Sequence, residues 1–276
     1  TALGIGKIVD SDTERATVFG QNANRAARVL CAGLLAAIGL VFGRARTAFR
    51  PSWMAWAIAA LIGLAMIMGG SRGGLLALAV GLWTFSLTGR TFGIRLRNNF
   101  VALVTIALAA CGALQSPLMQ RRIQLAAQGN FAGRQNICPA ALQLFKNRPL
   151  TGWGPSNQYM LAVRLGLPPQ LHQTRDTHNL FLEVLTSTGV AGAIPFLMGL
   201  GLVCWGAWKA RRGTEGILPV AQMAALLVGN LSGNYIVLKL QWLLLAYAMA
   251  SWAFFTPHPR APTTSPRITA RRQRWA

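Results

Sequence analysis

The chain has 276 residues, of which 53% are hydrophobic and only 12% are charged. Soluble domains carry about 25% charged residues, so this composition excludes an ordinary soluble domain and indicates a membrane protein. The net charge is +21, from 27 lysines and arginines against six acids. These basic residues lie in short gaps between apolar runs, as membrane topology produces, so we expect no nucleic-acid partner.

Seven apolar segments are predicted to cross the bilayer, since a membrane-spanning helix needs about 20 such residues. In chain order they lie at residues 25–43, 53–68, 75–87, 100–114, 180–208, 217–231 and 235–255. Short basic loops follow the first, third and fifth segments. If the spans alternate in direction, these loops and the basic C-terminal tail share one side, which the positive-inside rule makes cytoplasmic.

The predicted fold class is therefore all-α: a polytopic transmembrane helical bundle of about seven spans with one large outward-facing loop. We divide the chain into four spans at residues 1–114, the loop at 115–178, three spans at 179–256, and a basic cytoplasmic tail at 257–276 that we expect to be disordered. Because the chain begins at Thr1 rather than at an initiator methionine, we expect the N-terminal part of a longer protein to be missing.

The first candidate site on the outward side is a glycine-rich reversal at residues 69–74 that contains Ser71 and Arg72. Ser71 is a suitable N-cap for the third span. A helix N-terminus favours phosphate, and Arg72 adds a permanently charged fork for phosphate oxygens. The alternative is that the glycines only permit a tight helical hairpin while Arg72 reaches for the membrane surface.

The second candidate site is Arg134, which follows Gly133 in the outward loop. Apolar residues at 137, 141, 144 and 145 fall on one face of a predicted helix, which suggests a helix on the membrane surface. Pro139 is tolerable only in a first turn, so Arg134 is predicted at or just before the helix N-terminus. It binds an anion there or is an ordinary interfacial arginine.

The third candidate site is the run Asp176, Thr177, His178 and Asn179, directly before the fifth span. Asp, Thr and Asn are capping residues, so a helix is predicted to begin here with His178 in its first turn. A helix N-terminus and nearby arginines disfavour imidazolium, and a neutral imidazole is able to act as a general base. The alternative is a histidine that only hydrogen-bonds the backbone.

Acidic residues are scarce on the outward side, so a metal site built from carboxylates is poorly supplied. The cysteines and histidines show no metal-binding spacing. We therefore expect no metal ion and no other cofactor, and a chemistry that depends on arginine and histidine.

Four stretches of the chain resemble motifs of the O-antigen ligases and related polymerases, a family of membrane glycosyltransferases. They are Phe-Gly-Gln-Asn-Ala-Asn-Arg-Ala at 19–26, Ser-Arg-Gly-Gly at 71–74, the run from Gly133 and Arg134 to Pro-Leu-Thr-Gly-Trp-Gly at 149–154, and Thr-His-Asn-Leu at 177–180 with the Glu at 183 and the Gly-Val-Ala-Gly at 189–192. Each motif is short, but their order, spacing and shared outward side make the combination specific.

The resemblance implies a multi-pass protein of the bacterial inner membrane, with a large periplasmic loop over the active site. It implies an undecaprenyl-pyrophosphate-linked glycan as donor and the lipid A core, another glycan or a protein hydroxyl as acceptor. The reaction would belong to lipopolysaccharide or polysaccharide biosynthesis.

Carried over residue by residue, the resemblance makes Arg72 and Arg134 the groups that bind the pyrophosphate and His178 the base or positioning group for the acceptor. Further substrate contacts are expected from Ser71 and Asn179, and acceptor contacts from residues 152–175. The latter include Trp153, Tyr159 and Arg175, of which the aromatic rings suit stacking on sugar faces.

The chain departs from the family pattern in its shorter length, in Cys138-Pro139 near the start of the loop helix, and in Ser187, where relatives often have an acid.

Two other classes of function remain open. A transporter component would show ionisable residues inside spans, for which Lys239 is the one candidate, together with internal repeats, of which none is visible. A catalytically dead fragment is opposed by the joint presence of Arg72, Arg134 and His178.

Overall fold

The computed structural model describes residues 5–10, 13–18, 23–42, 52–87, 92–129, 133–171, 176–211, 216–234 and 236–255. The basic tail at 257–276 and Arg175 lie outside these residues, so the predictions made for them have no structural counterpart here. Within the described residues the chain is helical, as predicted, apart from an antiparallel hairpin near its start that the sequence analysis did not anticipate. The hairpin pairs β1 (Ile5–Asp10) with β2 (Thr13–Val18).

Ten α-helices follow the hairpin in the described part of the chain. They are α1 (Ala23–Phe42), α2 (Ser52–Met68), α3 (Arg72–Phe85), α4 (Phe92–Gln115), α5 (Pro117–Ala127), α6 (Arg134–Asn147), α7 (Asn157–Arg164), α8 (Leu180–Ala210), α9 (Leu218–Leu231) and α10 (Lys239–Phe255). Seven of them, α1–α4 and α8–α10, correspond to the seven apolar segments. The remaining three belong to the loop predicted at residues 115–178, which is therefore largely helical.

The main core lies where α1, α2, α3 and α9 meet, and small residues allow these helices to approach closely. A Cβ atom at Gly81 of α3 would lie 2.6 Å from a methyl carbon of Leu35 in α1. Across the same bundle, Gln222 of α9 donates a hydrogen bond of 2.9 Å to the backbone carbonyl of Ala32. Close backbone approach through small residues is typical of helices packed within membranes.

A break divides α8 into two helices at Gly189, which has φ 62° and ψ −166°. The loop at residues 149–153 is inserted at this break and supplies the missing hydrogen bonds. The carbonyls of Pro149 and Leu150 accept from the N–H groups of residues 190 and 191 at 2.8 and 3.1 Å, and the N–H of Trp153 donates to the Thr186 carbonyl at 2.9 Å. The family-like Pro-Leu-Thr-Gly-Trp-Gly run thus anchors the loop to α8.

Two helices, α4 and α8, are long and apolar enough to cross a membrane by length and composition, and α2, α3 and α9 contain shorter apolar stretches. Only 17% and 22% of the most apolar windows of α4 and α8 are buried, whereas the core helix of a soluble protein is mostly buried. The C-terminal end of α8 carries Lys209 over the Trp205 ring and Arg211 over the Trp208 ring. Such aromatic and basic pairs are typical of a membrane–water interface. The seven-span topology itself stays a prediction.

Candidate active site

The Ser71 hydroxyl connects the start of α3 to the start of α1. Ser71 is the N-cap of α3, as predicted, and its Oγ accepts from the N–H of Gly74 at 3.3 Å. The same hydroxyl donates to Asn24 Oδ1 at 3.1 Å, and the side chain is 4% exposed. Because of this cap, α3 begins at Arg72, three residues before the predicted start of the span. Arg72 is therefore the first helical residue, directly after the reversal.

Arg134 lies at the N-terminus of α6, as predicted, after Gly133 with its left-handed φ of 81°. Pro139 falls in the second turn of this helix rather than in the first. The predicted apolar face is present, but its buried residues at 137, 141 and 144 pack with Leu161 of α7 rather than on a membrane surface. This packing fixes the direction in which α6 presents Arg134.

The Arg134 guanidinium donates from Nη2 to the Ser232 carbonyl at 2.7 Å and lies near Arg72. Partial burial lowers the pKa of Arg134, the positive charge of Arg72 lowers it further, and Cys138 opposes both. A guanidinium nevertheless stays protonated at neutral pH, so two like charges are held close together. A bound polyanion would relieve their repulsion, which makes the pair a suitable anion site.

His178 lies one residue before the N-cap of α8, so the prediction that it occupies the first helical turn is wrong. The reason is Asn179, whose Oδ1 accepts from the N–H groups of residues 181 and 182 at 2.9 and 3.2 Å and so caps the helix itself. His178 has φ 51°, the left-handed region that side chains rarely adopt, and among the described residues no other non-glycine residue has a positive φ.

Asp176 fixes the orientation of the His178 ring. Its Oδ1 accepts from the His178 backbone N–H at 3.1 Å and also pairs with the ring Nδ1. When Nδ1–H donates to a carboxylate, the neutral ring has its basic lone pair on Nε2. Burial raises the pKa of Asp176, but the hydrogen bonds and charge of His178, together with Arg28, outweigh burial, so the pKa lies below its ordinary value. The sequence predicts Asp176 only as a capping residue.

Glu183 connects the His178 turn to the loop, and its carboxylate is only 7% exposed. Oε2 accepts from the N–H and from the hydroxyl of Thr177, both at 3.0 Å, and Oε1 accepts from the Asn157 side chain of α7 at 3.1 Å. These hydrogen bonds satisfy the polar oxygens of a buried side chain, which would otherwise be costly to bury. The backbone of the His178 turn is therefore held by α8 and α7 together.

The turn between α9 and α10 brings the separate parts of the site together. The Leu231 carbonyl accepts from Asn179 Nδ2 at 3.3 Å, and the next carbonyl, of Ser232, accepts from Arg134. The Ser232 hydroxyl also lies so close to Gly73 that a Cβ there would approach it to 2.3 Å. No pattern in the sequence predicts a role for this turn, because its contacts with Asn179 and Arg134 depend on how the helices pack.

Of the predicted substrate-binding residues, Ser71 and Asn179 lie in this site and also carry structural hydrogen bonds. Trp153 lies in the loop, where its indole N–H donates to the Leu144 carbonyl at 2.9 Å and Arg148 stacks on its ring at 4.2 Å. Tyr159, from the same predicted acceptor region, is 51% exposed. Among the described residues, no group of three or more His, Cys, Asp or Glu side chains is arranged to hold a metal ion.

Residues 56–197, just over half of the chain, match the family model for O-antigen ligase. The chain belongs to the O-antigen ligase family. Membership supports glycan transfer in general, with glycan and lipid-linked substrates, and makes the protein membrane-associated. The match includes Arg72, Arg134 and His178 but not the start of α1 or the turn between α9 and α10. No curated protein matches the chain.

Proposed function

We propose that this protein transfers a glycan from an undecaprenyl-pyrophosphate carrier to an acceptor hydroxyl at the periplasmic face of the bacterial inner membrane, without a metal ion. The acceptor that we favour is the lipid A core, as in an O-antigen ligase. The observation that supports the proposal best is the convergence of Arg134 and the His178 turn on adjacent carbonyls of one turn, with Arg72 beside Arg134.

In the proposed reaction the acceptor oxygen attacks the anomeric carbon of the glycan, and the bond between that carbon and the pyrophosphate oxygen breaks. His178 takes the acceptor proton at Nε2, because Asp176 occupies Nδ1. The bonding electrons leave with the pyrophosphate oxygen, and Arg72 and Arg134 stabilise the charge that develops there. The products are the elongated acceptor and the free lipid pyrophosphate.

The acceptor distinguishes three subclasses of this reaction. A polymerase would use another glycan chain and a protein O-oligosaccharyltransferase would use a serine or threonine hydroxyl, with the same donor chemistry. We propose that the loop at residues 152–175 selects among them, and that exposed Tyr159 and the ring of Trp153 contact sugar. Ser71 and Asn179 would then shape the donor site chiefly through the backbone that they hold.

The test measures release of undecaprenyl pyrophosphate by the protein in lipid nanodiscs, with a glycan-loaded donor and each of the three acceptor classes. We expect release that requires one acceptor, survives chelation of divalent ions, and falls about 10²–10⁴-fold in His178→Ala, the usual contribution of a general base. Added imidazole should restore part of the His178→Ala rate. Arg72→Gln and Arg134→Gln should each lose about 10²–10³-fold.

Arg121→Gln is the matched control for the two arginines, since Arg121 is an exposed residue of α5 and takes part in none of the site contacts described above. Absence of release by folded wild-type protein with every acceptor would overturn the transferase proposal. A release rate that His178→Ala leaves unchanged would overturn the role of the histidine alone.

A further inference from the structure

Arg28 is a charged residue in the first turns of an apolar helix. It follows Ala27 on α1 and precedes Cys31, both of which are buried, at 2% and 3% exposure. Its side chain lines an open cavity between α1, α3, α9 and α10, whose other walls are mainly alanine and leucine side chains. Arg28 is thus an ionisable residue inside a predicted span in addition to Lys239, the one such candidate considered from the sequence. Such a residue is costly in the membrane, faces a cavity or a partner, and marks a functional site.

The Arg28 guanidinium lies against the backbone of Gly233, in the turn between α9 and α10. A Cβ atom at Gly233 would lie 1.6 Å from Arg28 Nη2, so the glycine leaves the space that the guanidinium occupies. The preceding residue, Ser232, accepts the hydrogen bond from Arg134. Ser232 and Gly233 of this turn therefore contact two guanidinium groups, those of Arg134 and Arg28, which lie more than 100 positions apart in sequence.

Electrostatics connects Arg28 with the rest of the site. It is close enough to interact with Asp176, Arg25 and Arg134, and Arg134 interacts in turn with Arg72. Asp176 is already engaged by His178, so one carboxylate faces several positive charges. A pyrophosphate carries at least two negative charges and would balance this excess of positive charge. Clusters of arginines commonly bind phosphate groups in this way.

We infer that Arg28 is a third phosphate-binding guanidinium of the active site, held towards the pyrophosphate by the bare backbone of Gly233. The inference rests on the proposed function, because it names a further residue of the same anion site. It also assigns a function to the turn between α9 and α10. Arg28 and Gly233 lie outside the residues that match the family model, on either side of them. They would thus complete a site whose other arginines, Arg72 and Arg134, lie within the match.

The first experiment measures binding rather than turnover. Wild type, Arg28→Gln and Arg28→Lys in nanodiscs are titrated with inorganic pyrophosphate and, separately, with undecaprenyl pyrophosphate. We expect Arg28→Gln to weaken binding about tenfold or more, the usual effect of losing a hydrogen bond to a charged group. Arg28→Lys should be intermediate, because it keeps the charge and loses the planar fork. Arg121→Gln is the control.

The two probes distinguish the two sources of phosphate. If the loss appears with both, Arg28 contacts the phosphates themselves. If it appears only with undecaprenyl pyrophosphate, the guanidinium recognises the phosphate in its lipid-linked form. Equal affinity of wild type and Arg28→Gln for both probes would overturn the inference, even where His178→Ala abolishes transfer and the proposed function stands. Conversely, Arg28-dependent binding in a protein that transfers nothing would support the anion site and contradict the transferase.

Gly233→Ala supplies a second test that leaves every arginine in place. The added methyl group occupies the space of the guanidinium end, and a flexible side chain is able to move away without unfolding the protein. We expect binding of pyrophosphate to weaken about three- to tenfold, with little change in thermal stability. In the Arg28→Gln background the same substitution should have no further effect, since coupled residues are non-additive. Additive losses would overturn the assignment of Gly233 to Arg28.

Discussion

At the scale of single residues, the chemistry of the site depends on side chains that hold other side chains. Asp176 binds both the backbone N–H and the ring of His178, and Glu183 binds the preceding residue, Thr177. His178 keeps a left-handed backbone that only such surrounding contacts sustain. A base held in this way has a fixed tautomer and a fixed direction, which is what proton transfer to one nitrogen requires.

Asp176→Asn should remove the charged partner of His178 and slow release of the lipid pyrophosphate by about 10–100-fold, because a hydrogen bond to a charged group contributes about 1.5–3 kcal/mol. The pKa of Asp176 in the folded protein lies below its ordinary value of 3.8. Its stabilising contribution is therefore present above that value and is lost as the pH falls through the lowered pKa.

We accordingly expect Asp176→Asn to unfold at a lower temperature than wild type at pH 7, and the two melting temperatures to converge in acid below pH 3.8. Thermal unfolding in detergent between pH 7 and pH 3 is the measurement. A deficit that is the same at both ends of this range would contradict the charge-based account and leave only a packing effect.

Patterns in the sequence predicted Arg72, Arg134 and the cap Ser71 at helix ends, where each had a structural alternative. The resemblance to the O-antigen ligases selected these residues together with His178. The sequence did not indicate Asp176 as the partner of His178, since capping offered a sufficient local role. Arg28 was equally inaccessible, because its interaction with the Gly233 turn joins opposite ends of the chain and depends on how the helices pack.

At the scale of secondary structure, the break in α8 decides how the loop meets the membrane. The whole helix of 31 residues would be roughly 46 Å long at 1.5 Å per residue, well beyond a hydrocarbon core of about 30 Å. Residues 190–210, after the break, would cover about 31 Å and suffice to cross. We therefore predict that the part at 180–188 lies outside the bilayer, on the side of α6 and α7.

Gly189→Ala should destabilise the protein by about 2–4 kcal/mol, because the backbone there has positive φ and the new methyl carbon would clash. That carbon would lie 2.3 Å from the Leu150 carbonyl. Gly199→Ala, on the same helix, is the matched control: no atom lies within 4 Å of its added carbon, and alanine favours helix by about 1 kcal/mol. Chemical unfolding followed by tryptophan fluorescence measures both. Equal stability of the two variants would contradict an anchoring role for the break.

The positions of the apolar helices could be predicted from the sequence, since long uncharged runs have few alternatives to helix. The break could not, because its cause lies 40 residues away in the inserted loop. The apolar face of α6 is a similar case. The helical spacing of its apolar residues could be predicted from the sequence. That this face packs against α7, and not on the membrane surface, depends on tertiary contacts.

At the scale of the whole molecule, the distribution of charge and apolar surface should fix the orientation of the protein. Helices such as α4 and α8 leave large apolar side chains exposed, among them Phe100, Leu108 and Met198, each at 65% exposure or more. Soluble monomers rarely expose apolar surface on this scale, so lipid is the expected neighbour. By the positive-inside rule, we predict that Lys209 and Arg211 at the end of α8 lie on the cytoplasmic side, opposite the loop that carries Arg134.

This orientation predicts opposite labelling of two single cysteines introduced after the four native ones are replaced by alanine. Leu142→Cys, at an exposed position of α6, should react with a membrane-impermeant maleimide in cells whose outer membrane alone is opened. Lys209→Cys, also exposed, should react only after the inner membrane is opened, because basic residues are retained on the cytoplasmic side. The reverse pattern, or labelling of both from outside, would contradict the predicted topology. It would also remove the periplasmic glycan donor from reach of Arg134, because a site on the cytoplasmic side would face a different supply of substrates.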